Sequence, residues 1–168
     1  YAATGFRMDN LVVDSWNNYY TALANSIKLE ELVAADPNAA NMTNILAMTK
    51  TLIAYKTLQA TMMFGDMPYS EAGRAFSNGA EYFRPKYDAQ EEIIKSALEN
   101  LKSAADNFSD DPNQVSLGAR ETLLHGDLIK WRKLANSLRM RYAMSIQQKD
   151  ATTANAILAD ANSKPLLG

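Results

Sequence analysis

The chain contains no cysteine and only one histidine, His125. The first absence excludes a disulfide framework, thiolate metal sites and a cysteine nucleophile. The second leaves a histidine-based zinc site without enough ligands. No G-x-S-x-G stands near any serine, so no motif supplies a nucleophile for His125. It reads as a structural or merely exposed residue. No apolar run approaches the roughly 20 residues that a membrane helix needs. The formal net charge is −2, so no global basic field attracts nucleic acid. No segment shows sustained strand alternation, although "NQVSLG" has the look of a short extended piece. The chain opens with "YAATGFRMDN" rather than with Met and a basic stretch, so no signal peptide is visible. It reads as a piece of something longer.

What is present is helical. The 168 residues are 47% hydrophobic and 21% charged, a globular composition with enough chain for one domain over residues 1–168. A first helix is expected over residues 14–35, with Trp16, Tyr20, Leu23 and Ile27 on one face and Asp14 or Ser15 as its cap. A second is expected over 39–64, with Ile45, Met48, Leu52, Tyr55 and Met62 as its main stripe. Its wide apolar arc suits a central position in a bundle. Asp88 and Glu91 have capping-box spacing and open a third helix, striped by Ile94, Leu98, Leu101, Ala105 and Phe108. A fourth starts near Asp127 and carries Trp131, Leu134, Leu138, Tyr142 and Ile146, so Trp131 should bury against the third helix. A short fifth, over 152–161, is capped by Asp150 or Thr152. The fold class is therefore all-α, built from antiparallel helix hairpins. The 34-residue tetratricopeptide motif is not present in clean form.

Several polar groupings invite a chemical reading and fail it. Asp110 and Asp111 lack the ligand spacing of a calcium loop and read as a solvated turn. Glu30–Glu31 and Glu91–Glu92 are adjacent on helices, point in different directions, and cannot flank one bond. The basic fourth helix spreads Lys130, Arg132, Lys133, Arg139, Arg141 and Lys149 around its girth. That spread suits pairing with neighbouring acids better than a nucleic-acid surface. Trp16 and Trp131 sit at stripe positions and read as core rather than as sugar platforms.

The segment between the second and third helices is different. Residues 65–87 form a long connection, and long connections are more often functional. It contains Tyr69, Phe76, Tyr82, Phe83 and Tyr87. Gly65 suits a helix end that needs a positive φ, Pro68 prevents helix continuation, and Asp66 can bond backbone amides of the turn. The motif is thus first a structural corner. Its aromatics lie off any helical stripe, and Tyr69, Tyr82, Phe83 and Arg84 supply the ring faces and polar groups that a sugar site uses.

Four blocks of the chain resemble the SusD/RagB family, in family order. They are "WNNYYTALANSIKLEEL", "MMFGDMPYSEAGR" (similar to that family's FGD-x-PYSEA loop), "PKYDAQEEIIKSALENLKSAAD" and "GDLIKWRKLANSLRMRYAMSI". The resemblance implies a tetratricopeptide-like helical core from a Bacteroidetes surface lipoprotein of the outer membrane. It implies reversible capture of an oligosaccharide or other nutrient, with no catalysis and no cofactor. It also implies a TonB-dependent, SusC-like transporter as partner, and membrane attachment only through a lipid anchor outside this chain. Family members are about three times longer, and their binding residues differ widely, so the resemblance assigns no site residue here. A helical-repeat scaffold for protein docking is the rival reading.

Overall fold

A computed structural model describes residues 8–168, with side chains described from residue 11 onward. Among the described residues six α-helices follow one another: α1 (Met8–Ala34), α2 (Thr43–Phe64), α3 (Ala75–Asn78), α4 (Gln90–Asn107), α5 (Leu128–Ile146) and α6 (Ala151–Asn162). The long helices stack in order, α1 on α2, α2 on α4, α4 on α5 and α5 on α6. The result is the expected all-α array of antiparallel hairpins. Two strands of two residues each, β1 (Met67–Pro68) and β2 (Tyr87–Asp88), pair antiparallel, with Met67 opposite Asp88. No strand alternation could announce them, because two residues are too few to show a period.

α1 begins before its expected cap. Asp14 and Ser15 lie inside the helix, because local capping preference is weak beside an apolar face that continues to pack. The expected stop is correct: Asp36 Oδ1 accepts the Asn38 amide at 2.7 Å and turns the chain after Ala34. The fourth expected helix starts at Asp127 as read, and of the two caps offered for the fifth, Asp150 is the one used. Asp127 accepts from the Lys130 amide and Asp150 from the Thr153 amide, each at 3.0 Å.

The expected stripe of α2 holds only in part: Met48 is buried and Ile45 and Tyr55 are partly buried. Leu52 and Met62 are exposed, as is Met63. The buried positions are Asn44, Ala47, Met48, Thr51, Ala54, Thr57, Leu58, Ala60 and Thr61. α2 touches α1, α4 and α5, and small side chains let those helices come close. The threonine hydroxyls are not left bare. Thr51 Oγ1 donates to the Ala47 carbonyl at 2.8 Å, and Thr57 shares a hydrogen bond with the Tyr19 hydroxyl at 3.2 Å. Asn44 exchanges two hydrogen bonds with the Ser109 backbone, at 2.9 and 2.7 Å, and so ties the start of α2 to the chain leaving α4.

Three apolar clusters result. One joins Leu58 to Ile94, Leu98, Leu101, Leu138 and Tyr142. A second joins Tyr19 and Leu23 of α1 to Met67 and Ile93. In the third, Trp131 packs on Ala47 and Met48 of α2 and on Phe108 just beyond α4. Trp131 is buried as expected, but chiefly against α2 rather than the body of α4. Trp16 is only half-buried, with its ring 5.0 Å from Phe64 in an edge-on contact. The loop before α5 is held by the buried Glu121, whose carboxylate accepts the amides of Leu123, Leu124 and Gly126. Burial pushes this carboxyl up, but those amides outweigh it and hold it below the usual carboxylate range.

Trp131→Ala is expected to cost about 3–5 kcal/mol, the range for deleting a buried aromatic. A urea titration with no shift in midpoint would contradict this packing.

Candidate functional site: the corner and its cleft

The corner starts where α2 stops. Gly65 has φ +74 and ψ −131, a region that essentially only glycine occupies. The positive φ agrees with the sequence reading, but ψ lies far from the left-handed helical cap that a C-terminal glycine usually makes. The chain therefore leaves α2 in an extended direction. It enters β1 after two residues.

Three acidic residues then fasten the segment. Asp66 Oδ1 accepts the Gln90 amide at 2.9 Å, so it bonds the first turn of α4 rather than its own turn. Asp88 was expected to cap α4, yet α4 has Ala89 at that position with no side-chain cap. Asp88 instead faces backwards. Its Oδ2 accepts the Tyr69 and Ser70 amides at 3.0 and 2.7 Å, and Ser70 Oγ donates to both of its oxygens. Glu71 Oε2 accepts the Lys86 amide at 3.1 Å. The two sides of the β1–β2 pair are thus locked by carboxylates exchanged across it. Partial burial raises the Asp88 carboxyl, but the bonds from Ser70 and Tyr69, with Lys86 nearby, hold it below its ordinary value.

Between these strands the chain makes an excursion, partly helical rather than wholly irregular: α3 and a 3₁₀ turn at Ala80–Phe83. It rests on α1. Ser77 Oγ donates to Glu31 Oε2 at 2.6 Å, and Lys28 Nζ sits 5.9 Å from the Phe76 ring centre. At Gly73, with φ +75, an added Cβ would meet Ile27 Cδ1 at 3.0 Å and the Ala24 backbone at 3.2 Å. Only glycine permits that approach.

Of the four residues singled out from the sequence, Tyr69 stands apart. It is half-buried, packs on the second cluster, and its hydroxyl contacts Ser96 Oγ at 3.1 Å and Asn100 Nδ2 at 3.3 Å. Tyr82 is half-buried on the 3₁₀ turn, and Phe83 and Arg84 are exposed beside it. No hydrogen bond or ring contact joins Tyr69 to these three among the described residues. Phe76, Phe83 and Tyr87 are exposed by 91, 71 and 67%, so the excursion shows three aromatic faces to solvent.

Tyr69 also lines a cleft of about 350 Å³ between α1, α2, α4 and the corner. Its apolar lining includes Leu23, Ile27 and Ile53, and its polar lining includes Ser96, Asn100, Lys50 and Arg74. Sequence reasoning missed this cleft, since its residues come from four separated segments. The other sequence candidates sit at the surface: His125, Glu91, Glu92, Asp110 and Asp111 are exposed. Several cations of α5 are ion-paired, Lys130 to Asp127, Arg132 to Asp110 and Arg139 to Asp160.

A stack of helix hairpins with an inserted, carboxylate-locked corner defines a tetratricopeptide-like scaffold. The profile of the SusD-like family, described as starch-binding and associating with the outer membrane, matches residues 4–167. The chain belongs to that family. Among solved structures it is similar to a chitin-binding protein, with 27% identity and a TM-score of 0.79, over 97% of this chain and 33% of that one. It is similar to a SusD-like protein of Bacteroidetes AC2a, with 30% identity and a TM-score of 0.78, over 96% of this chain and 28% of that one. A SusD homologue from Parabacteroides distasonis shares the fold at a TM-score of 0.76 and 24% identity, over 95% of this chain and 30% of that one. The chain thus spans about a third or less of these relatives' lengths. No protein of curated function matches the sequence.

Because the native Asp88 carboxyl is held below its unfolded value of about 3.9, it contributes stability above that pH and loses it as pH falls through the native value. Asp88→Asn should therefore cost about 1–3 kcal/mol at pH 7, the range for bonds to a charged group. The gap from wild type should narrow below about pH 4, as the wild-type carboxylate protonates. Urea titrations at pH 7 and pH 3 that give the same gap would contradict the carboxylate lock.

Proposed function

We propose that this chain is the helical core of a non-catalytic glycan-capture protein of the outer membrane. In this reading it holds oligosaccharide reversibly and passes it to a TonB-dependent, SusC-like transporter, with attachment through a lipid anchor outside the chain. The observation that carries the reading is the family match over residues 4–167. The likeness to a chitin-binding protein at 27% identity supports a glycan as the ligand class.

The excursion is the proposed platform. Sugars stack their apolar faces on exposed rings and direct hydroxyls to nearby polar groups. Phe83 offers an open face, Tyr82 flanks it, and Arg84 adds a fork of donors. Tyr69 belongs to the same segment and presents its hydroxyl towards the cleft. Nothing in this arrangement needs a covalent step.

Oligosaccharide panels should give weak binding, in roughly the millimolar range, or about −4 kcal/mol. Calorimetry or ligand-observed NMR on wild type and on Tyr82→Ala reads it, with the variant weaker. Binding that survives alanine at Tyr69, Tyr82 and Phe83 together would remove these residues from the site. A blank panel would favour the protein-docking scaffold.

A further inference from the structure

The cleft beside Tyr69 holds an imbalance of charge that packing does not explain. Lys50 of α2 is half-buried and lines it. Its stem is covered while its head group can still reach water, and Lys50 has no ion pair or hydrogen bond among the described residues. Arg74 enters the same cleft from the excursion. Its Nε donates to the Ser70 carbonyl at 3.2 Å, and its guanidinium has no ion pair among the described residues. Glu30 is the carboxylate of the lining, is exposed, and has no ion pair among the described residues. Two cations without an ion pair among the described residues therefore border one carboxylate in an open cleft, with Arg74 and Glu30 exposed at its mouth and Glu31 near Arg74.

The rest of the lining suits a sugar ring. The volume of about 350 Å³ is at the lower end for small-molecule sites. Leu23, Ile27 and Ile53 offer an apolar wall, and the Tyr69 hydroxyl, Ser96 and Asn100 offer donors and acceptors. Tyr69 is already positioned by Ser96 and Asn100, so its hydroxyl needs no reordering to meet a ligand.

Resting on the glycan-capture reading above, we propose that this cleft is a subsite for a carboxylate-bearing sugar residue, a hexuronate. Arg74 takes the carboxylate with its planar fork and Lys50 adds a point charge. The hydroxyl-bearing edge meets Tyr69, Ser96 and Asn100. Glu30 opposes the anion and limits its affinity.

The test is a titration of the 168-residue chain with sodium glucuronate and with glucose, followed by amide NMR shifts and calorimetry at low and high salt. Glucuronate is expected to bind about tenfold more tightly than glucose, equal to about 1.4 kcal/mol. It should shift amides around residues 50, 74 and 100, and should weaken as salt rises. Lys50→Gln and Arg74→Gln should each reduce glucuronate binding about tenfold and leave glucose unchanged. Lys50→Arg should retain it, and Glu30→Gln should tighten it. Equal binding of the two sugars, absence of glucuronate binding, or glucuronate binding unchanged in Lys50→Gln and Arg74→Gln would overturn the subsite. Neutral oligosaccharide panels report separately on the aromatic platform. Their success with glucuronate failing removes only this subsite, and the reverse outcome removes the platform reading.

Discussion

The structure depends on how closely neighbours can approach α2. Three helices, α1, α4 and α5, lie against it. A cylinder touched on three sides cannot present bulky side chains to all of them and still keep a normal helix spacing. The buried positions are therefore mostly alanine and threonine, with Leu58 as the large residue at the centre. Each threonine adds a polar atom, and burying it unpaired would be costly. The bonds from Thr51 to the Ala47 carbonyl, from Thr57 to Tyr19 and from Thr61 Oγ1 to the Gly65 carbonyl (2.9 Å) remove that cost. The last of these also links the central helix directly to the corner.

From that bond outward, the corner is a chain of carboxylate and amide contacts rather than an apolar knot. Asp66 reaches α4, Asp88 reaches back to β1, and Glu71 closes the strand pair. Gln90 Nε2 also donates to the Thr61 carbonyl at 2.6 Å and returns the chain to the end of α2. Such a lock leaves the excursion between its two ends free of core duties. That is why a segment rich in aromatics can expose Phe76, Phe83 and Tyr87 while Met67 beside them is fully buried. The same geometry sets one wall of the cleft, since Tyr69 and Ser70 are the residues that Asp88 fixes.

Scaffold and surface are thus separate problems in this molecule. The helix stack supplies the frame, and the inserted segment carries exposed aromatic side chains on loops held by that frame. Family membership over residues 4–167 concerns the frame, and a frame can host many ligands. The exposed rings, and Lys50 and Arg74 with no ion pair among the described residues, are features of particular side chains and not of the frame.

The sequence by itself determined the five longer helices, their order and the buried faces of α4 and α5. α4 and α5 were legible because leucine, isoleucine and aromatic residues recur at helical spacing, and Ile94, Leu98, Leu101, Leu138 and Tyr142 are buried where that spacing puts them. The starts of α5 and α6 near Asp127 and Asp150 were legible because a capping carboxylate and its partner amide lie only three residues apart. The glycine at the end of α2 was legible because few other residues tolerate a positive φ. Tertiary structure decided the rest. It shifted the buried face of α2, keeping Met48 and Leu58 inside, adding alanines and threonines, and exposing Leu52, Met62 and Met63, because the helices packed around α2 set that face. It turned Asp88 away from α4 towards Tyr69 and Ser70, and brought Asp66 to Gln90 across 24 residues. It made one cleft from four segments. Periodicity records only which residues share a face of one element, whereas partners distant in the chain are chosen by how the elements pack.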